Sequence, residues 1–185
     1  MNSQRITSAV TELLKAIEGE ELRAELEETP RRVQRALEEM LDGYDVDIST
    51  LFKVSEGEGQ DQMVAVTNIG FTSFCSHHLL PWMGVAHVGY LPTSKVIGVS
   101  KMGRLVLAFA HRLILQERLT KDIAYTLMEN LNPQGVAVII IGEHSCMRYR
   151  GVKLPTSQVR TSEMIGEFRD DAAMRQEFLS LVGLR

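Results

Sequence analysis

The feature of this chain that most constrains its fold is a pair of cysteines, each placed close to histidine. Cys75 is followed by His77 and His78, and Cys146 comes two residues after His144. These are the only two cysteines of the chain, and they lie near three of its five histidines. Thiolate and imidazole are ligands that zinc prefers in proteins. The pattern therefore predicts a divalent metal site to which both segments contribute.

The spacing leaves three interpretations open. Cys75 and His78 are separated by two residues, so a single turn lets both side chains reach one ion. With Cys146 they make three ligands, and three ligands plus a water position are typical of a catalytic zinc site. A structural site needs a fourth protein ligand, here His77 or His144. The third interpretation has no metal, because unpaired cysteines are often simply buried.

The second segment carries a geometric expectation. If the strand predicted from Val136 continues through Cys146, residues 144 and 146 project from the same face. His144 then faces the metal without binding it, and His77 does the same beside His78. Three ligands with two spare imidazoles predict a hydrolytic centre, in which the ion acidifies water and the imidazoles move protons.

Composition narrows the class of protein. A chain of 185 residues is long enough for one well-buried core. Its net charge of −4 argues against a nucleic-acid binder, although local cations can still hold an anionic small molecule. The N-terminus lacks the apolar core of a signal peptide, and no run approaches the roughly 18 apolar residues that span a bilayer. We therefore expect a cytoplasmic protein that binds neither nucleic acid nor membrane.

The hydrophobic periodicity predicts an α+β protein. Helical spacing predicts two N-terminal helices, the second capped by Thr29 with Pro30 in its first turn. Two more helices are predicted around Phe109 and Ile123, and a closing helix over 170–182. Strands are expected at residues 63–74, 85–91, 96–99, 136–141 and 158–168.

The predicted elements suggest a simple division of the chain. Residues 56–61 are polar and predict a loop. We expect an N-terminal helical region over residues 1–60 and a catalytic domain over residues 61–185, within one compact structural unit. The strand at 136–141 is continuously apolar, so we expect it to be covered on both faces.

Cationic residues form a second group of candidate site residues. Ser100, Lys101 and Arg104 lie where a predicted strand gives way to a helix, and the N–H groups at a helix start can bind an anion. Arg150 follows the second cysteine, and Glu117 opens the second central helix. A single cation is more often a solvated surface charge, but the position of these residues beside the metal segments favours an anion site.

Five segments of the chain, in this order, match motifs of one enzyme family. They are Glu28-Thr29-Pro30-Arg31-Arg32-Val33, Cys75-Ser76-His77-His78, Val96–Arg104, Gln116-Glu117-Arg118-Leu119-Thr120 and His144–Val152. By these motifs the chain resembles GTP cyclohydrolase I across nearly its whole length.

The resemblance implies a tunnelling fold, with an antiparallel four-stranded sheet, two helices on one face and a preceding helical region. It implies pentamers that pair into a homodecamer, with sites between subunits. It also implies zinc bound by Cys75, His78 and Cys146. The implied reaction opens the imidazole ring of GTP at C8, releases formate and closes 7,8-dihydroneopterin triphosphate.

The resemblance also implies roles for individual residues. His77 and His144 would handle protons around the purine N7 and in later steps, and Glu117 would hold the guanine edge with Gln116 close by. Ser100 would lie near the ribose. The triphosphate would be held by four cations, Arg32, Lys101, Arg104 and Arg150.

Ser76 departs from the family motif, which usually has Glu at this position. Loss of a carboxylate beside the metal predicts, as an alternative, a tunnelling-fold relative with weakened activity or with another purine or pterin as substrate. The non-enzyme alternative is a structural zinc protein or an inactive assembly partner, which a fourth protein ligand on the metal would favour.

Overall fold

The computed structural model describes residues 1–52, 55–56 and 61–184. By their contacts the residues form two compact units, Met1–Asp42 and Gly43–Arg185. The domain boundary predicted near residue 60 stays a prediction, and residues 57–60 of the predicted loop lie outside the described residues. Within the described ranges, no helix is both long and apolar enough to cross a membrane.

The N-terminal unit is helical, as predicted. Its elements are helix α1 (Ser3–Glu18), a 3₁₀ turn (Ala24–Leu26) and helix α2 (Thr29–Met40). The predicted capping role of Thr29 is wrong, because Glu28 occupies the N-cap position and makes no side-chain capping bond. Pro30 lies in the first turn, where a missing N–H costs nothing.

The second unit contains all the strands in the described part of the chain. They are β1 (Ser55–Glu56), β2 (Val64–Phe74), β3 (Pro81–Leu91), β4 (Lys95–Val96), β5 (Gly135–His144) and β6 (Val159–Gly166). Its helices are α3 (Val99–Ala110), α4 (Gln116–Leu131), α5 (Ser145–Arg148), α6 (Glu167–Asp170) and α7 (Ala172–Leu181). The predicted strand at 96–99 is mostly wrong, since β4 ends at Val96 and α3 starts at Val99.

The main sheet is antiparallel throughout, with the strand order β2-β3-β5-β6. Helices α3 and α4 pack on one face and bury the larger core, to which β5 contributes Val136, Val138 and Ile140. The alternate residues of β5 join Phe168 and Phe178 in a smaller core on the other face. The predictions of an α+β fold with two helices on one face of a four-stranded sheet, and of a central strand covered on both faces, are confirmed.

A β-bulge in β2 contacts a buried histidine of β3. The register of β2 shifts between Val66 and Ile69, and Asn68 within the bulge has a φ of 56°. The N–H of Asn68 donates to Nδ1 of His87 at 3.4 Å, and His87 is only 3% exposed. Burial lowers the pKa of His87 below its ordinary value of 6.5. The folded protein therefore favours a neutral His87 whose Nδ1 accepts this hydrogen bond.

We expect His87 to contribute to acid sensitivity of the fold. The pKa of His87 in the folded protein lies below its ordinary value of 6.5, which applies to the unfolded chain. Its contribution to stability is therefore complete above pH 6.5 and is lost as the pH falls below that value. The thermal midpoint of the wild type should therefore fall more steeply between about pH 7 and pH 5 than that of His87→Gln. Parallel curves for the two proteins would contradict this role.

Candidate metal and catalytic site

The connection between β2 and β3 is a tight turn that brings His78 back over Cys75. The Cys75 N–H donates to the Leu80 carbonyl at 2.9 Å, and the Cys75 carbonyl accepts the N–H groups of His78 at 3.3 Å and Leu79 at 2.9 Å. Leu79 has a φ of 51°, a conformation that a non-glycine residue adopts when the surrounding structure requires it. The turn places Nδ1 of His78 3.7 Å from Sγ of Cys75.

The second cysteine reaches the same place from a helical turn. The expectation that the strand continues through Cys146 is wrong, since β5 ends at His144 and α5 begins at Ser145. The Tyr149 N–H closes this turn on the Ser145 carbonyl at 3.1 Å. Cys146 and His144 nevertheless line the same pocket, as the sequence predicts.

Cys75, His78 and Cys146 form a cluster with the geometry of a metal site. Their ligand atoms all lie within 4.8 Å of one another. Zn–S and Zn–N bonds of about 2.3 and 2.1 Å at a tetrahedral angle place S and N about 3.6 Å apart. The Cys75–His78 distance of 3.7 Å fits this value. The cluster could therefore hold a divalent metal with three protein ligands.

The Cys146 thiol is affected by burial and by the neighbouring Cys75. Cys75 is buried, 5% exposed, and Cys146 is half-buried. Burial raises the pKa of the Cys146 thiol, and the adjacent Cys75 raises it further, while Arg150 acts in the opposite direction. Two adjacent thiols of this kind suit a bound cation, because a cation stabilises both thiolates at once.

The cluster opens onto a pocket of about 310 Å³ in which the predicted acid–base residues meet. The pocket is lined by Cys75, His77, His78, Ile114, Leu115, Gln116, Glu117, His144, Cys146, Met147 and Val159. His77 and Glu117 are exposed, whereas Gln116 is buried at 1% exposure. Chain segments far apart in sequence thus place three potential ligands, two further imidazoles and one carboxylate around a single space.

His144 is held against the sheet by its neighbours. It pairs in register with Trp82 of β3, and the two rings stack with centroids 4.5 Å apart and planes 12° from parallel. Its Nε2 lies 2.9 Å from Oε1 of Gln116. Burial lowers the pKa of His144, and the nearby Glu117 carboxylate partly opposes that shift. The His144 ring is therefore fixed in position, and its protonation is influenced by the nearby Glu117 carboxylate.

One predicted phosphate-binding residue reaches the metal cluster. Nη1 of Arg150 lies 3.2 Å from Nε2 of His78. Both side chains are exposed, so the guanidinium lies at the rim of the pocket, where an anionic group of a ligand could contact it.

The other residues predicted to bind the ribose or the triphosphate are not among those that line this pocket. Ser100, Lys101 and Arg104 are in the first turns of α3 and do not line the pocket. The chain just before them is tied to the far end of β3, because the Ile97 N–H donates to the Tyr90 hydroxyl at 3.3 Å. Tyr90 is eight positions from Trp82 on one strand, roughly 27 Å at about 3.4 Å per residue. Arg32 lies on α2, in the N-terminal unit.

Three residues that contact the site escaped the sequence analysis. Trp82 stacks on His144, Gly142 leaves the space that Trp82 and Gln116 occupy, and Thr161 binds the Gln116 side chain. Only the pairing register of β3, β5 and β6 brings these residues together. Trp82 is the single tryptophan of the chain, which is the one signal that could have drawn attention to it.

We expect one divalent ion per chain to bind at the Cys75–His78–Cys146 cluster. Substitution Cys146→Ser should abolish binding, because two remaining ligands hold such an ion weakly. The measurement is the loss of the thiolate-to-metal charge-transfer absorption of the cobalt-substituted protein. His77→Ala is the matched control, since it removes an imidazole from the same turn but outside the cluster. Unchanged absorption in Cys146→Ser would disprove this ligand set.

Comparisons with known proteins show which family the chain is related to. The family model described as GTP cyclohydrolase I matches residues 6–183. Proteins named GTP cyclohydrolase 1 from Caldanaerobacter subterraneus and Corynebacterium glutamicum are each 44% identical over 183 residues, which is 98% of this chain and 97% and 93% of theirs. A solved apo structure of an archaeosine synthase QueF-Like overlaps 60% of this chain and 97% of its own, with TM-score 0.49 and 18% identity. By the family model and by relatives of nearly equal length, the chain belongs to the GTP cyclohydrolase I family.

Proposed function

We propose that this protein is a zinc-dependent GTP cyclohydrolase I that converts GTP and water into formate and 7,8-dihydroneopterin triphosphate. The observation that carries the proposal is the three-ligand Cys75–His78–Cys146 cluster in one pocket with His77, His144 and Glu117. Such a ligand set with acid–base groups beside it is what hydrolysis of a C–N bond needs.

Zinc is the ion that suits this donor set. Two thiolates and one imidazole favour zinc over magnesium or calcium, which prefer oxygen ligands. A bound zinc ion would supply Lewis acidity that lowers the pKa of water at its open position. The pair of free thiols also favours a reducing compartment, and we place the enzyme in the cytoplasm on that ground.

Glu117 is the group we assign to the guanine edge. It is exposed at the start of α4 and lines the pocket. The N1–H and 2-amino groups of guanine are two parallel donors, which match the two oxygens of one carboxylate. The pocket volume of about 310 Å³ lies near the lower limit for small-molecule sites, so it suits the base rather than the whole nucleotide.

His77 and His144 are the groups we assign to proton transfer. The C8 atom of a purine is a weak electrophile until N7 is protonated, so ring opening requires an acid that can reach N7 as well as an attacking water. Two waters are consumed when the two C8–N bonds break and formate leaves, and one water is released when the pterin ring closes. The reaction therefore uses one water overall and needs no redox partner.

The separation of the cations supports a site shared between subunits. The segment before Lys101 and Arg104 is tied at Ile97 to Tyr90, which lies roughly 27 Å along β3 from Trp82, and neither cation lines the pocket of its own chain. Strands β2 and β6 form the two edges of the main sheet and can pair with another copy. We propose a homodecamer of two pentamers, in which a neighbouring copy supplies the triphosphate contacts.

The first prediction from this proposal concerns turnover. Purified zinc-loaded protein should release one formate per GTP and form a fluorescent pterin after oxidation, and Cys146→Ser should abolish both. Protein that retains zinc but leaves GTP intact would contradict the proposal. A panel of other purine nucleotides and pterins tests the alternative raised by Ser76, whose side chain is exposed and outside the set of residues that line the pocket.

The second prediction concerns the shared site. Cys146→Ser and Arg104→Ala should each be inactive alone, but co-expressed subunits should regain part of the activity, because some sites then combine an intact cluster with an intact cation. The control is Cys146→Ser co-expressed with His78→Ala. Each of these variants lacks a ligand of the metal cluster, so no subunit in the mixture has an intact cluster and activity should not return. No recovery in the first mixture, with mixed oligomers present, would place the whole site in one chain.

A further inference from the structure

We propose that Gln116 is a positioning residue that holds His144 in the tautomer with hydrogen on Nε2, so that Nδ1 is the nitrogen that exchanges protons with the substrate. This inference rests on the proposed function of the site. It assigns Gln116 a task different from guanine contact, and it identifies the reacting atom of His144.

The orientation of the Gln116 amide is determined by its surroundings. Its Nε2 lies 3.1 Å from the Ile140 carbonyl, 3.0 Å from the Val159 carbonyl and 3.1 Å from Oγ1 of Thr161. The two carbonyl oxygens can only accept, so the atom facing them must be the amide nitrogen. The side chain is 1% exposed, and a flipped amide would bury an oxygen against two oxygens. Oε1 therefore faces His144.

A closed ring of hydrogen bonds reinforces this orientation. Gln116 donates to Oγ1 of Thr161, and the hydroxyls of Thr161 and Thr120 lie 2.6 Å apart. The Thr120 hydroxyl donates to the Gln116 backbone carbonyl at 2.8 Å. Because the Thr120 hydroxyl uses its hydrogen on that carbonyl, the Thr161 hydroxyl must donate to Thr120. The Thr161 oxygen can then accept from the Gln116 amide. Each hydroxyl thus has its donor role assigned, and the amide has no freedom to turn.

The tautomer of His144 follows from the direction of Oε1. An amide oxygen can only accept, so the ring nitrogen 2.9 Å away, Nε2, must carry the hydrogen. Among the described residues Nδ1 of His144 has no hydrogen-bond partner. In the neutral ring Nδ1 is then the nitrogen with a free lone pair, ready to take a proton and to return it.

Two neighbours prevent the ring from rotating away from this arrangement. Trp82 stacks on its face at 4.5 Å, and Gly142 provides the room for the contact. A Cβ on Gly142 would overlap Oε1 of Gln116 and come within 2.9 Å of Cζ3 of Trp82. Glycine at position 142 is therefore needed for both groups to reach His144, and alanine there would displace the acceptor without removing any polar group.

Both ends of the Gln116 side chain are occupied by protein groups. The nitrogen is bound to the strands β5 and β6, and the oxygen is bound to His144. Both N–H groups of this side chain are used within the protein, so none is left to donate to guanine. The consequence of losing Gln116 should therefore appear in the proton-transfer step and not in substrate affinity.

The kinetic test compares Gln116→Leu, Gln116→Glu and Gly142→Ala with the wild type in formate release from GTP. Gln116→Leu and Gly142→Ala should lower kcat about 100-fold, the loss expected for a misplaced catalytic group, with KM and bound zinc little changed. Gln116→Glu should be impaired like the leucine variant, because its second oxygen would face the Ile140 and Val159 carbonyls, which need a donor. The matched control is Gly70→Ala, where an added Cβ meets nothing within 4 Å.

The activity-independent test is ¹⁵N NMR of the histidine rings in the wild-type protein, with His144 assigned by its loss in His144→Asn. The expected spectrum has hydrogen on Nε2 and a bare Nδ1 in the neutral ring. Hydrogen on Nδ1, or wild-type kcat in both Gln116→Leu and Gly142→Ala, would overturn the inference. A wild type that leaves GTP intact would refute the proposed function, while the NMR result would still test the tautomer.

Discussion

The antiparallel pairing of β3 with β5 is the constraint on which the rest of the site depends. It places Trp82 opposite His144, and the same pairing carries the turn with Cys75 and the turn with Cys146 to one end of the sheet. A slip of one residue would send His144 to the opposite face. The alternate residues of β5 are buried in two separate cores. A slip would move each set of residues into the core of the other set, and this cost resists the slip.

This sheet supports two kinds of polar centre with different requirements. The metal cluster lies at turns beyond the strand ends, where Cys75 and His78 can converge on one point. The Gln116 network lies between α4 and strands β5 and β6, and its hydrogen bonds are the condition under which buried polar groups add rigidity rather than instability. An exposed rim with Arg150 and Glu117 is thus combined with a fixed imidazole, an arrangement that suits catalysis by positioned groups.

Much of this arrangement follows from local sequence pattern. The continuous apolar run at residues 136–141 predicted a strand covered on both faces, and the Cys-x-x-His spacing with Cys146 predicted the ligand cluster. The ending of the strand at His144 was not predictable, because a helical turn and one more strand residue differ by little in local preference. The role of Gln116 was also hidden, because its partners come from β5 and β6 and depend on pairing register. The distance between Lys101 and the cluster likewise follows from tertiary structure.

We propose that three residues of one chain bind the metal and leave a position open beside His144. Anomalous diffraction at the zinc edge, from crystals of the zinc-loaded protein, tests it most directly. We expect one zinc per chain, about 2.3 Å from the Sγ atoms of Cys75 and Cys146 and about 2.1 Å from a ring nitrogen of His78, with no fourth protein ligand. Zinc bound elsewhere, or coordinated by His77 or His144 as a fourth ligand, would contradict it.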